Sequence, residues 1–291
     1  MALNFTFSAF ADEADPNFDL QLAALKRNRI PLLEIRGVDG KGVLDLTDAE
    51  LETVCEKLAE AGIGVSAVGS PIGKIGIRDD FAPHFEKFKR AVEIAKKLGT
   101  ARIRMFSFFI PQGEDPESCF DEVVRRVSAL VAYAEENGVH CCHENEKGIY
   151  GDTLARVQKL HAAVPGLRCV FDPANYIQCG DDPAVNFKAL APMIDYMHVK
   201  DALFADGSVV PAGEGDGSVP QILAALAETG KPYILTIEPH LFDFSGLSAL
   251  QDEELTHKRV YRSGDEAFDA AADALHTICE KINLCSICKE L

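Results

Sequence analysis

No run of 18 apolar residues occurs in the chain, so the sequence offers no candidate for a membrane-spanning helix. The start, Met1-Ala-Leu-Asn-Phe-Thr-Phe7, lacks the basic residues and long apolar run of a signal peptide, and a cytoplasmic protein is expected. Basic runs are missing too. The 46 Asp and Glu outnumber the 29 Lys and Arg, and the net charge of −17 would be repelled by phosphate backbones and anionic lipids. Nucleic acid and membranes are therefore excluded as expected partners. No linker, low-complexity tract or composition break divides residues 1–291, and a single domain is expected over that span. After the first strand, where a nucleotide-binding sheet would carry a glycine-rich turn, the chain reads Phe10-Ala-Asp-Glu-Ala14. The nine cysteines are odd in number, and most sit in apolar patterns, as reduced core thiols do. Cys285-Ser-Ile-Cys288 has the spacing of half a zinc knuckle, but no second pair matches it, so a frayed terminal helix is the preferred reading.

What the chain does contain is a regular alternation. Strand-like stretches at 3–8, 32–36, 64–69, 101–106, 139–144, 168–172, 194–200 and 233–238 are each followed by a segment with helical spacing. Those segments lie near 17–28, 47–61, 81–98, 116–137, 152–163, 183–190, 218–229 and 265–284, and Thr47-Asp-Ala-Glu50 forms a capping box at the second. Eight such units in 291 residues predict an α/β chain folded as a closed (β/α)8 TIM barrel, with an open doubly wound sheet as the alternative. The long irregular segment Pro239 to Gly264 is read as a lid over the mouth.

In such a barrel the reactive groups gather at the C-terminal ends of the strands. Glu144, Asp172, His198 and Glu238 each end one of the last four strands, and period-two alternation lets all four point inward. Three carboxylates and one imidazole suit an open site for a single divalent ion: Mn, Mg, Co or Zn. Without a cation, like charges so close would each raise the pKa of the next. Proton removal beside a carbonyl leaves an enediolate whose charge a Lewis acid stabilises, and carboxylates can take and return that proton.

His143-Glu144-Asn145, Phe171-Asp172-Pro173-Ala174-Asn175, His198-Val-Lys-Asp201, Gly213-Glu-Gly-Asp216 and Ile237-Glu238-Pro239-His240 resemble, in order, the motifs of the xylose-isomerase-like TIM-barrel superfamily, the sugar phosphate isomerase/epimerase group related to AP endonuclease family 2. The resemblance implies a divalent metal on Glu144, Asp172, His198 and Glu238, with Glu144 and Glu238 also acting as an acid/base pair. It implies an isomerase or epimerase of a small carbohydrate, phosphorylated or not, and, as the alternative, a lyase or dehydratase of an inosose or keto-sugar. The extra glutamate, histidine and arginine of the ketose 3-epimerases are replaced by Tyr150, Asn175 and Phe204, which points to a differently furnished pocket. Endonuclease IV shares the barrel, but the eight histidines are too scattered for its multi-zinc site.

Several flanking residues are open between structural and functional roles. Glu34 and Arg36 form either a buried ion pair or sugar contacts, and Lys74 is a loop lysine or an anion binder. Arg104 anchors a carboxylate or the substrate. Asn145, Asn175, Lys200 and His240 are candidate substrate contacts, and Lys147 a further pocket lysine. His143 and Asp201 are candidates for supporting the metal ligands from behind. The apolar run Phe106 to Ile110 and Phe242-Asp-Phe244 are read as packing. A homo-oligomer is compatible with all of this.

Overall fold

A computed structural model describes residues 4–243 and 260–289, with side chains through residue 284. Phe242 and Asp243 fall within that range, whereas residues 244–259, most of the expected lid, and the side chains of Cys285 and Cys288 lie outside it. The barrel strands are β1 (Phe5–Ala9), β2 (Leu32–Ile35), β3 (Gly64–Gly69), β4 (Arg102–Met105), β5 (His140–Glu144), β6 (Arg168–Phe171), β7 (Ile194–Val199) and β8 (Tyr233–Ile237). All pairings between them are parallel, and β8 returns to β1 to close the ring. The barrel, rather than the open sheet, is the fold.

The helices on the outside are α1 (Phe18–Arg27), α2 (Asp48–Ala61), α3 (Phe81–Lys97), α4 (Phe120–Glu136), α5 (Leu154–Ala163), α6 (Pro173–Gln178), α7 (Pro183–Leu190), α8 (Val219–Glu228) and α9 (Gly264–Lys289). Each of the longer ones buries a stripe against the strands, as Phe88, Ala91, Val92 and Ala95 do on α3. The box at the start of α2 is formed: the Glu50 amide donates to Thr47 Oγ1 at 3.3 Å and the Thr47 amide to Glu50 Oε2 at 2.9 Å. Residues 116–119 form a 3-10 turn leading into α4 rather than its first turn.

Inside the ring, Ala67, Cys142, Val170 and Tyr196 make an apolar plug. Register then lifts the next inward residues by different amounts. Glu144 pairs with Val170 and His198 with Thr236, so Asp172 and Glu238 each stand two residues further along their chains than the level of the strand before. This climb follows the strand tilt of a closed barrel and spreads the four acidic and basic side chains around the mouth.

Candidate metal centre

The four strand-end residues do converge. One ligand atom from each of Glu144, Asp172, His198 and Glu238 lies within 4.8 Å of all the others, and all four side chains are buried. Opposite ligands of a small divalent ion at about 2.1 Å from the metal stand roughly 4 Å apart, so this donor set fits one ion without rearranging the strands. The imidazole turns Nδ1 to the cluster, 3.0 Å from Glu144 Oε1 and 3.3 Å from Glu238 Oε2.

Each member is held from behind. Arg104 donates from Nη1 to Glu144 Oε2 at 2.9 Å, and the Asn175 amide reaches Glu144 Oε1 at 3.2 Å. Asp172 doubles as the N-cap of α6, its Oδ1 accepting the Asn175 amide at 2.8 Å, with Pro173 at the first helical position. Lys200, two residues past His198 on the same face, places its ammonium 3.0 Å from Asp172 Oδ2 and 3.3 Å from Glu238 Oε2. Arg36 lies over the Phe10 ring, pairs with Asp12 and Glu13, and stands 3.7 Å from Glu238 Oε1. His240 Nδ1 bridges Glu13 Oε1 at 3.2 Å and Glu238 Oε1 at 3.5 Å.

These neighbours divide the carboxylates. Burial pushes Glu144 up, but His198 and Arg104 outweigh it and hold the group down at about 2. Glu238 is held well below the usual range, where burial is overcome by Lys200, His240 and His198. Asp172 goes the other way, up to about 7, because burial and the charges of Glu238 and Glu144 exceed the help from Lys200. That is the penalty a cation at the cluster removes.

Other expected contacts land elsewhere. Asn145 spends its amide on the main chain of Asp172, donating to the carbonyl at 3.0 Å and accepting from the N–H at 3.1 Å, which holds that strand end in place. Asp201 accepts four amides, from Ala202, Gly213, Gly215 and Gly217, and organises the 213–217 loop instead of a metal ligand. His143 points out of the barrel, sharing a 2.9 Å hydrogen bond with Ser107 and packing edge-on against His161. Glu34 is fully buried beneath the cluster, its two oxygens taken by Tyr196 at 2.9 Å and His198 Nε2 at 3.3 Å. Lys74 pairs with Glu146 at 2.7 Å over the Phe106 ring, whereas Lys147 is exposed. Tyr150 turns outward to Glu117 Oε1 at 3.2 Å, and Phe204 is 48% exposed. Asp12, Glu13, Glu146 and Tyr196 are additions that sequence reasoning missed; the first two follow β1 directly, and Tyr196 precedes His198 by one period of the strand.

The model of the xylose isomerase-like TIM barrel family matches residues 32–259. The chain belongs to that family. In overall structure it resembles an L-ribulose 3-epimerase, with a TM-score of 0.75 and 16% identity over 100% of this chain and 99% of that one. Also similar are the probable 3-DHS dehydratase AsbF from Bacillus anthracis, at 0.71 and 17% over 93% and 98%, and a zinc-bound IOLI protein, at 0.71 and 16% over 96% and 98%. At such identities these likenesses speak to the fold alone. No curated protein matches the chain in sequence. Among the described residues, no helix is long and apolar enough to cross a membrane.

Proposed function

We propose that this family member is a divalent-metal-dependent isomerase or epimerase of a small polyhydroxylated carbonyl compound, acting by proton abstraction beside the carbonyl. The observation that carries the reading is the convergence of Glu144, Asp172, His198 and Glu238 within 4.8 Å. Those four residues hold the ion, which when bound supplies Lewis-acid stabilisation to negative charge developing on substrate oxygens. Glu144 and Glu238 are kept ionised by their cationic neighbours, and ionised carboxylates are the form that removes a proton and returns it. Asn175 and Arg104 keep the Glu144 carboxylate in place, and Arg36 and His240 do the same for Glu238. The names of the similar structures, a sugar epimerase among them, support a carbohydrate substrate.

A second reading, elimination of water from an inosose-like or keto-sugar substrate, begins with the same proton abstraction. It is favoured by the placement of Tyr150 and Phe204, turned outward or exposed where ketose 3-epimerases carry sugar contacts. Deuterium uptake from heavy water across a panel of ketoses, inososes and keto-sugars tests the shared step, and product analysis separates the two readings. Metal content is to be measured alongside. Glu144→Gln and Glu238→Gln should each abolish exchange, and full activity in either variant would sink the paired-carboxylate mechanism.

A further inference from the structure

We propose that Glu34 is the positioning residue that fixes the ring tautomer of His198, making Nδ1 the nitrogen offered to the metal. The inference rests on the metal reading above and extends it to a residue outside the ligand set. The two nitrogens of His198 face different surroundings. Nδ1 looks into the cluster, toward Glu144 and Glu238, while Nε2 looks the other way and meets Glu34 Oε2 at 3.3 Å. A neutral imidazole carries one N–H, and a carboxylate only accepts. In the metal-free protein both nitrogens face carboxylates. A divalent ion held at the cluster would take the place of the proton on Nδ1 alone, and the N–H that remains is the one on Nε2, which Glu34 accepts.

Glu34 is itself well fixed. It comes from β2, across the barrel from β7, and its side chain is fully buried. Its second oxygen accepts the Tyr196 hydroxyl at 2.9 Å, and Tyr196 stands one strand period before His198 on the same inner face. The Phe10 ring meets the imidazole edge-on, with centroids 5.2 Å apart, and blocks rotation of the ring. A residue with both oxygens committed in this way orients a ligand and does not bind substrate.

The test uses the full chain with histidine labelled in nitrogen-15 and Zn²⁺ as the diamagnetic probe. Long-range proton–nitrogen spectra of the zinc-loaded wild type should show His198 with its proton on Nε2 and the metal on Nδ1; the reverse assignment overturns the inference. Zinc affinity, measured by competition with a chromophoric chelator, should weaken about 10- to 100-fold in Glu34→Gln, whose amide can donate to Nε2 and favour the wrong tautomer. Tyr196→Phe, which leaves the carboxylate but frees its far oxygen, should weaken zinc binding several-fold with the tautomer unchanged. Wild-type affinity and tautomer in Glu34→Gln, or wild-type affinity in Tyr196→Phe should Glu34→Gln fail to fold, would overturn the inference while leaving the metal reading intact. A wild-type protein that takes up no divalent ion overturns the metal reading and this inference with it.

Discussion

Single residues at the mouth carry competing charges, and Lys200 shows how much depends on one of them. Its buried ammonium sits 3.0 Å from Asp172 and 3.3 Å from Glu238, and these carboxylates keep its pKa above the usual lysine value despite burial. Removing one partner of a buried ion pair costs about 3–5 kcal/mol, because the charge left behind has no compensation. Lys200→Met should therefore lower the stability of the metal-free protein by roughly that amount in a denaturant titration. Manganese should then raise the melting temperature of the variant more than that of the wild type, since the ion takes over the neutralising role. Equal shifts would show that Lys200 and the metal do not share these carboxylates. At this scale the ligand candidates were legible because each ends a strand, where chemistry is expected, and period two gives its direction. Glu34, Tyr196, Asp12 and Glu13 were not legible as partners. Their contacts cross the barrel between residues far apart in sequence, as Glu34 and His198 are, and no local pattern encodes such a distance.

Elements were legible in proportion to their length. The eight strands and the longer helices repeat their period often enough to be read, whereas the six-residue α6 completes fewer than two turns and was read only as the end of a ligand motif. The two-residue strands Asp201–Ala202 and Val209–Val210, which form a small antiparallel ribbon above β7, show no alternation at all. That ribbon and the loop after it are tied together by Asp201. The amides of Gly213 and Gly215 donate to Oδ2 at 2.8 and 3.1 Å, and those of Ala202 and Gly217 to Oδ1 at 2.9 and 2.8 Å. A side chain added at Gly215 or Gly217 would come within 2.3 or 2.6 Å of the same carboxylate, so the glycines make room for it. Asp201→Ala leaves these amides without their shared acceptor, and hydrogen bonds to a charged group contribute about 1.5–3 kcal/mol each. Amides opened to water recover part of this, so the expected net result is a loss of at least about 3 kcal/mol in stability, with faster amide exchange confined to 201–217. Asp201→Asn, which keeps one accepting oxygen, should lose less. Unchanged exchange in the alanine variant would show that the loop stands without this anchor.

Over the whole molecule, buried histidines outside the cluster link stability to pH. Burial pushes His84 down to about 4, helped by the positive charges of Lys87 and Arg126, and its Nε2 accepts the Gly73 amide at 2.8 Å. Burial likewise holds His161 at about 4, against the pull of the Leu167 carbonyl 3.2 Å from its Nδ1; the ring of His143 packs on its other side. Both groups are neutral at pH 7 in folded and unfolded chains, so neither makes stability vary with pH there. Below the unfolded value of 6.5, the unfolded chain binds protons that the folded one refuses until about 4. Their contribution is thus complete above pH 6.5 and is lost as the pH falls toward 4, each histidine giving up about 1.4 kcal/mol per pH unit once its unfolded form is charged. In the metal-free protein Asp172, pushed up to about 7, has the opposite sign, so wild type and variant must be compared at each pH. His84→Gln keeps an acceptor for the Gly73 amide but cannot be protonated. Its stability should lie closer to that of the wild type at pH 4.5 than at pH 7, because the wild type alone has by then lost the His84 contribution. A difference between the two proteins that stays constant across this range would mean that His84 is no buried neutral histidine, and that the acid sensitivity of the barrel has another source.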